Sequence, residues 1–166
     1  MTDAHESFRE YVQGRLPGLS RIAYLLTGDA HLAEELVQQT LISVAARWER
    51  VVAGGDPEPY IRRTLYHQHI SSWRRRRHDA LPVAEVPERP GRDHIGDIAT
   101  AVTMRQALAQ LAPRQRAVLV LRFYEDLTEV QTAAVLSCSV STVKSQTRDA
   151  LARMRTIVPD LAEALS

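Results

Sequence analysis

The most specific structural pattern in the chain lies in residues 128–156, TEVQTAAVLSCSVSTVKSQTRDALARMRT. Thr128 and Gln131 have the spacing of a capping box, in which each side chain bonds the other residue's backbone N–H, and this predicts a helix beginning here. The short polar residues 137–139 predict a tight turn, followed by a longer helix that ends near Ile157. A short helix, a tight turn and a longer helix are the pattern of a helix-turn-helix, whose second helix enters the major groove of DNA.

The predicted second helix has a polar outer face that suits DNA. Small or apolar residues, Ala133 and Val143 among them, account for the packing between the two helices. Hydroxyls suit phosphates, whereas amide and cationic side chains can contact base edges. The alternative is the solvated face of an ordinary amphipathic helix, which the capping box and the turn disfavour. The candidate DNA-binding residues are Ser141, Thr142, Lys144, Ser145, Gln146 and Arg148.

A second candidate site lies in a basic strip. The net charge is only +1, but residues 57–78 carry six arginines and a single acid, Glu58, between acidic segments. Cations neutralise phosphates, and the aromatic residues among them, Tyr60 and Tyr66, can stack on unpaired bases. The alternative is a solvated basic helix end that complements the helix dipole. The strip comprises Arg62, Arg63, His67, Trp73, Arg74, Arg75, Arg76 and Arg77.

Apolar spacing predicts helices through the rest of the chain and no strand. We expect a first helix over residues 6–26 with a kink or break at Leu16-Pro17-Gly18, and a second that is N-capped by Asp29 and runs to about Arg50. Residues 79–97, rich in proline and charge, are a predicted linker. The fold class is therefore all-α, with two small helical domains joined by a flexible linker. The predicted ranges are 1–78, 79–97 and 98–166.

Several other functions are disfavoured by the residues present. Cys138 is the single cysteine, so an internal disulfide framework is excluded, and without a neighbouring base it is expected to be a small buried residue. His67 and His69 diverge on a helix, so we expect no metal site and no cofactor. No apolar run reaches the length of a membrane span, and no secretory signal is visible at the N-terminus, so a cytoplasmic protein is expected.

Taken in order, these segments resemble the extracytoplasmic-function (ECF, group IV) sigma factors of bacterial RNA polymerase, in particular the actinobacterial SigE-like branch. Residues 24–41 resemble regions 2.1 to 2.2, and residues 60–77 resemble regions 2.3 to 2.4. Residues 111–127 resemble region 4.1, and residues 138–155 resemble region 4.2. The resemblance implies a transcription initiation factor rather than an enzyme, with no catalytic residues.

The resemblance also implies roles and partners. Residues 1–78 would be region 2, which binds core polymerase and the −10 element, and residues 98–166 would be region 4, which binds the −35 element through 141–148. The arginine strip would contact the −10 element, and the 49–57 loop would hold a base flipped out to nucleate melting. The acidic linker would thread the RNA channel. The face that docks on the β′ coiled coil would comprise Glu34, Glu35, Gln38 and Gln39.

The expected partners are therefore the β′ and β subunits of core RNA polymerase and promoter DNA, and the family admits an anti-sigma factor. We expect a monomer when free, with no membrane insertion and with the two domains either splayed or packed together. The sequence departs from the family at His67 and Ser71, where Asn and Asp are common. It also departs at Thr132, where an aliphatic residue is usual, and at Ser137, where glycine is common.

Two other functions remain as alternatives. A LuxR-type transcriptional regulator would share the helix-turn-helix, but it would need a sensor half such as an α/β receiver, and residues 1–78 show no strand pattern. A nuclease would need clustered carboxylates or a metal set near the basic strip, where Glu58 is the one acid.

Overall fold

The computed structural model describes residues 3–79 and 104–159, which we call the N-terminal and C-terminal units. Every regular element in these two ranges is helical, as the sequence predicts. The N-terminal unit contains α1 (Ala4–Thr27), α2 (Ala30–Ala45), α3 (Trp48–Ala53) and α4 (Glu58–Asp79). The C-terminal unit contains α5 (residues 104–109), α6 (Pro113–Leu119), a π-turn (Val120–Tyr124), α7 (Glu129–Leu136) and α8 (Val140–Ile157). Most of the predicted linker, residues 80–97, lies outside the described residues.

Helix α1 does not break at Pro17, contrary to the expectation that allowed a break there. Pro17 lies inside the helix on an exposed side. Residues on both sides of it, Phe8 before and Leu19 after, pack against the same apolar core, which keeps the two segments collinear enough to remain one helix. The helix ends at Gly28, whose φ of 70° is a left-handed conformation that glycine adopts without strain.

The prediction of one helix from Asp29 to about Arg50 was wrong, because α2 ends at Ala45 and α3 begins at Trp48. Trp48 is buried and its ring lies 5.2 Å from the rings of Phe8 and Tyr11 on α1. Its indole Nε1 donates a hydrogen bond of 3.0 Å to Ser7 Oγ. Burying this large aromatic side chain against α1 stabilises the protein more than continuing α2 as a single helix would.

The predicted helix starts are confirmed by their hydrogen bonds. Asp29 Oδ1 accepts from Leu32 N at 2.9 Å. Both halves of the capping box are present, since Gln131 N donates to Thr128 Oγ1 at 3.1 Å and Thr128 N donates to Gln131 Oε1 at 2.9 Å. Such caps satisfy backbone donors that the first turn of a helix leaves unpaired.

The two units share one apolar core. Ile61 and Leu65 of α4 pack in the same cluster as Val118 of α6 and Leu136 of α7. A second, smaller cluster joins α5, α6 and α8 through Leu108, Leu119, Ala150 and Met154, among others. Of the two arrangements left open by the sequence, the structure therefore has the packed one.

Candidate nucleic-acid interface

The first candidate surface is the outer face of α8. Ser139 caps this helix by accepting a 3.1 Å hydrogen bond from Thr142 N. Val143 and Ala150 are buried against the rest of the C-terminal unit, which turns the opposite side of α8 to solvent. The side chains of Lys144 and Arg148 are 67% and 76% exposed. Both cations are therefore exposed, although each has an acidic neighbour: Lys144 Nζ lies 4.0 Å from Glu129 Oε2, and Arg148 Nε lies 3.4 Å from Asp149 Oδ1.

The other predicted α8 residues lie around these cations. Ser141 is exposed, whereas Thr142, Ser145 and Gln146 are half-buried. Ser145 Oγ donates to Thr142 O at 3.0 Å, so part of its hydrogen-bonding capacity is used within the helix. The sequence thus identified one continuous polar face, of which the cations project farthest.

Two of the positions that depart from the family, Ser137 and Thr132, lie in the turn after α7 and in α7 itself. Ser137 has φ 53° and ψ 46°, the left-handed conformation that glycine adopts more easily. Thr132 is fully buried on α7, and its Oγ1 has no hydrogen-bond partner among the described residues. A buried hydroxyl without a partner is destabilising, and so is a left-handed conformation at a residue other than glycine. Thr132 and Ser137 therefore lower the stability of the helix-turn-helix without altering its geometry.

The second candidate surface is the C-terminal half of α4. Arg74, Arg75, Arg76 and Arg77 are exposed, and Trp73 is half-buried. The Arg77 guanidinium lies over the Trp73 ring at 5.2 Å, a cation–π distance. This half of the helix presents concentrated positive charge to solvent, as predicted.

The N-terminal half of α4 is instead partly covered by the C-terminal unit. Arg62 Nε donates to Glu125 Oε1 at 2.9 Å, and His67 Nε2 lies 3.1 Å from Val135 O. Of the predicted DNA-binding residues in this half, Arg63 is the one left exposed without such an interdomain bond in the described structure.

The idea that Tyr66 stacks on bases was wrong. Tyr66 is fully buried, and its hydroxyl donates to Glu125 Oε2 at 2.6 Å. Burial, followed by the neighbouring Glu125 carboxylate, raises the pKa of Tyr66 well above its ordinary value. The residue therefore stays a neutral hydrogen-bond donor inside the protein and is out of reach of a nucleic acid.

An open cleft of about 480 Å³ lies beside the exposed face of α4. Tyr60, Arg63 and His67 line it, as does Arg47 from the segment between α2 and α3. The Arg47 guanidinium approaches the Tyr60 hydroxyl at 3.5 Å. Sequence reasoning missed Thr64 and Gln68, which also line the cleft, although they follow Tyr60 on α4 in steps of four residues, and that spacing was a usable signal. Ser71, noted above as a departure from the family, lies three residues further on and lines the cleft as well.

The four residues predicted to dock on polymerase are all exposed on α2, but they face two directions. Glu34 and Gln38, joined by a 3.3 Å hydrogen bond, border a groove of about 490 Å³ between α1 and α2. That groove is lined mainly by apolar residues such as Val37. Glu35 and Gln39 lie instead on the side of α2 that faces α4.

The described residues contain no group of three His, Cys, Asp or Glu side chains that could hold a metal ion. Within the same ranges, no helix combines the length and apolar character needed to cross a bilayer. Cys138, expected to be buried, is half-buried in the turn.

Comparison with known proteins shows the family to which this chain is related. The family model described as Sigma-70 region 2 matches residues 11–78, and the model for Sigma-70, region 4 matches residues 107–156. The RNA polymerase sigma-E factor of Streptomyces coelicolor is 36% identical over 89% of this chain and 84% of its own length. The chain belongs to the ECF family of RNA polymerase sigma factors.

Other relatives of this sigma factor carry similar names. The RNA polymerase sigma-E factor of Streptomyces avermitilis is 34% identical over 89% of this chain and 83% of its own length. Among solved structures, the sigma factor RpoE of Bartonella quintana, crystallised with the anti-sigma factor NepR, has a TM-score of 0.71. It is 24% identical, and the match covers 93% of this chain and 98% of that one, so it shows a common fold.

Proposed function

We propose that this sigma factor binds core RNA polymerase, directs it to promoters that carry −35 and −10 elements, and nucleates strand separation. The observation that carries the proposal is the presence of two separate cationic surfaces in a chain with both sigma regions. One surface is on the helix-turn-helix and the other is on α4. The domain ranges we propose are 1–78 for region 2, 79–97 for the linker and 98–166 for region 4.

The outer face of α8 is the proposed −35 reader. Its N-terminal residues Ser141 and Thr142 lie where backbone amides and hydroxyls can hold phosphates. Lys144 and Arg148 follow together on one face, whereas Gln146 lies about 160° around the helix from Arg148, on the side of Thr142. Cationic and amide side chains make specific contacts with guanine and adenine in the major groove. The exposure of both cations supports this assignment.

Helix α4 and its cleft are the proposed −10 site. The exposed run Arg74–Arg77 would neutralise phosphates, and Trp73 would offer a ring to an unstacked base. Arg62, Arg63 and His67 would extend the contact along the helix. The open cleft at the N-terminal half of α4, which Arg47 also lines, supports the idea that a flipped base is held by this half of the helix. The 49–57 segment, expected to be a loop, begins inside α3 and does not line this cleft, so its part in holding the base rests on the family resemblance alone.

The exposed face of α2 is the proposed docking site for the β′ coiled coil. An acidic and amide edge formed by Glu34 and Gln38 borders an apolar groove, which is the combination of polar rim and apolar centre that protein interfaces use. Glu35 and Gln39 would contact the partner from the neighbouring side. We also propose that region 4 contacts the β subunit and that the factor is monomeric when free.

An anti-sigma factor is a further proposed partner. The solved structures similar to this chain include RpoE with the anti-sigma factor NepR and CnrH with the cytosolic domain of CnrY. Because its other partner would be core polymerase, the proposed place of action is the cytoplasm.

The test is run-off transcription on a genomic promoter library with core RNA polymerase, with and without the chain. Chain-dependent initiation at sites that share −35 and −10 elements supports the proposal. Binding to duplex DNA that does not depend on polymerase would instead favour a LuxR-type regulator.

A matched pair of variants on α8 tests the −35 assignment. Arg148→Ala should lower −35-dependent initiation about tenfold, because losing a good base contact costs about 1 to 3 kcal/mol. Arg153 is exposed on the same helix but is rotated about 140° from Arg148, at 100° per residue. Arg153→Ala should therefore initiate normally. Equal losses in both variants, or loss of polymerase binding in Arg148→Ala, would contradict the assignment.

A further inference from the structure

One carboxylate of the helix-turn-helix lies between two cations from different parts of the C-terminal unit. Glu129 is the first residue of α7 and follows the capping residue Thr128 directly. Its Oε1 lies 4.0 Å from Arg122 Nη2 of the π-turn, and its Oε2 lies 4.0 Å from Lys144 Nζ on α8. Glu129 therefore faces the same ammonium group that we have proposed as a reader of the −35 element.

Local structure fixes both the backbone and the charge of Glu129. The capping box formed by Thr128 and Gln131 sets where α7 begins. A carboxylate in the first turn of a helix is stabilised by the positive end of the helix dipole. Arg122 is itself anchored, because its Nη1 donates to the Leu127 carbonyl oxygen. One side of the carboxylate thus faces a guanidinium that is held in place.

The other carboxylate oxygen of Glu129 is left for Lys144. This Oε2 atom is shielded from solvent, yet it accepts no hydrogen bond from any described residue. A shielded carboxylate oxygen without a donor is unfavourable, so a nearby cation is strongly favoured there. The Lys144 side chain is 67% exposed and carries three donors on a flexible stem. Glu129 can therefore restrain the ammonium group from one side while its other side stays open to DNA.

We propose that Glu129 is a positioning residue for the −35 element, which restrains the Lys144 ammonium group at one base pair. The inference rests on the proposed function, because it deepens the role given there to the outer face of α8. An unrestrained lysine is a mobile point charge that neutralises phosphates of any sequence. A restrained lysine loses less side-chain entropy when it contacts a guanine edge. Glu129 thus favours discrimination between promoters over affinity for DNA of arbitrary sequence.

The tests use the full chain and a matched pair of substitutions. Glu129→Gln keeps the size of the side chain and removes the charge that faces Lys144. Asp126→Asn removes the same charge three residues earlier, at an exposed position with no ion pair among the described residues. Asp126 has a φ of 56°, and asparagine adopts this left-handed conformation readily, so the control does not disturb the turn.

The first test measures the restraint without DNA. Lys144 is the single lysine of the chain, so lysine labelled with ¹³C at Cε gives one side-chain NMR signal. The order parameter of the Lys144 Cε–H bonds should fall in Glu129→Gln and keep its wild-type value in Asp126→Asn. An unchanged order parameter in Glu129→Gln would overturn the proposal.

The second test measures promoter discrimination with the chain bound to core polymerase. Run-off initiation is compared between a promoter that carries the identified −35 element and the same promoter with that element scrambled. The ratio between the two templates should fall about threefold in Glu129→Gln, the size expected for a partly exposed ion pair. Asp126→Asn should keep the wild-type ratio. Equal falls in the two variants, or a proportional loss on both templates that leaves the ratio unchanged, would overturn the proposal.

A double-mutant cycle decides whether Glu129 acts through Lys144. Lys144→Ala should lower the template ratio by itself, because a proposed base contact is lost. Adding Glu129→Gln to Lys144→Ala should then cause no further fall. A further fall of the same size would mean that Glu129 contacts a base itself, as a carboxylate does at a cytosine amino group, and would overturn the positioning role. Failure of the proposed function would appear differently, as a wild-type holoenzyme that initiates equally on both templates.

Discussion

Because His69 is buried, we predict that the free energy of unfolding falls steeply in mild acid. Its ring is 3% exposed, and neither ring nitrogen has a partner among the described residues. Burial, and then the positive charges of Arg116 and Arg76, lower the pKa of His69 to about 4. In the unfolded chain the pKa of histidine is about 6.5. Below pH 6.5 the unfolded state therefore binds a proton that the folded state does not.

The size of the effect follows from this difference. The stability associated with neutral His69 is fully present above pH 6.5 and is lost as the pH falls from 6.5 towards 4. At pH 5 the loss is about 2 kcal/mol, from about 1.5 pH units at 1.36 kcal/mol each, and it levels off at about 3 kcal/mol near pH 4. Because Arg116 belongs to the C-terminal unit, protonation of His69 also opposes the packing of the two units.

The assay is urea unfolding at pH 7, 6 and 5 for the wild type and for His69→Leu. Between pH 7 and pH 5 the wild type should lose about 2 kcal/mol more than His69→Leu, whose side chain cannot take up a proton. His31→Gln, on the exposed surface of α2, is the control and should behave like the wild type. If His69→Leu loses as much stability as the wild type, the buried-histidine argument is refuted.

Four further variants test other parts of the structure. Thr132→Val should raise the free energy of unfolding by about 1 to 2 kcal/mol in urea, because it removes a buried hydroxyl without a partner; an unchanged value would show that the hydroxyl is satisfied. Ser137→Gly should add about 1 kcal/mol by relieving a left-handed φ, measured in the same way. Asp29→Ala should lose about 1 kcal/mol with the α2 cap, seen as a lower melting temperature. Glu34→Lys should lose co-purification with core polymerase while its circular dichroism stays unchanged, and retained co-purification would count against the α2 docking face.

The helix starts could be predicted because their causes are local. Asp29, Thr128 and Ser139 each cap a helix through a backbone donor three residues away, so neighbouring sequence is sufficient. The polar face of α8 was predictable for a similar reason, since helical periodicity places Lys144 and Arg148 together.

The errors concern contacts between residues far apart in the chain. Trp48 ends α2 early because it packs on Phe8, and nothing in the residues around Trp48 indicates that partner. Tyr66 was interpreted as a base-stacking residue because arginines surround it in sequence, whereas Glu125, 59 residues later, binds its hydroxyl. The choice between packed and splayed domains depends on similar long-range pairs, which periodicity does not reveal.

The π-turn at Val120–Tyr124 affects how the two units contact each other. It holds about one residue more per turn than an α-helix. Its hydrogen bond from Glu125 N to Val120 O spans five residues and fixes the position of the Glu125 backbone, and with it the carboxylate. Deleting one residue here would restore α-helical spacing and rotate the following backbone by about 100°. Glu125 would then be carried away from Arg62 although no interface side chain had changed identity. The number of residues in this turn therefore affects the contact between the two units, and it does so without changing the face of α8 that is proposed to read DNA.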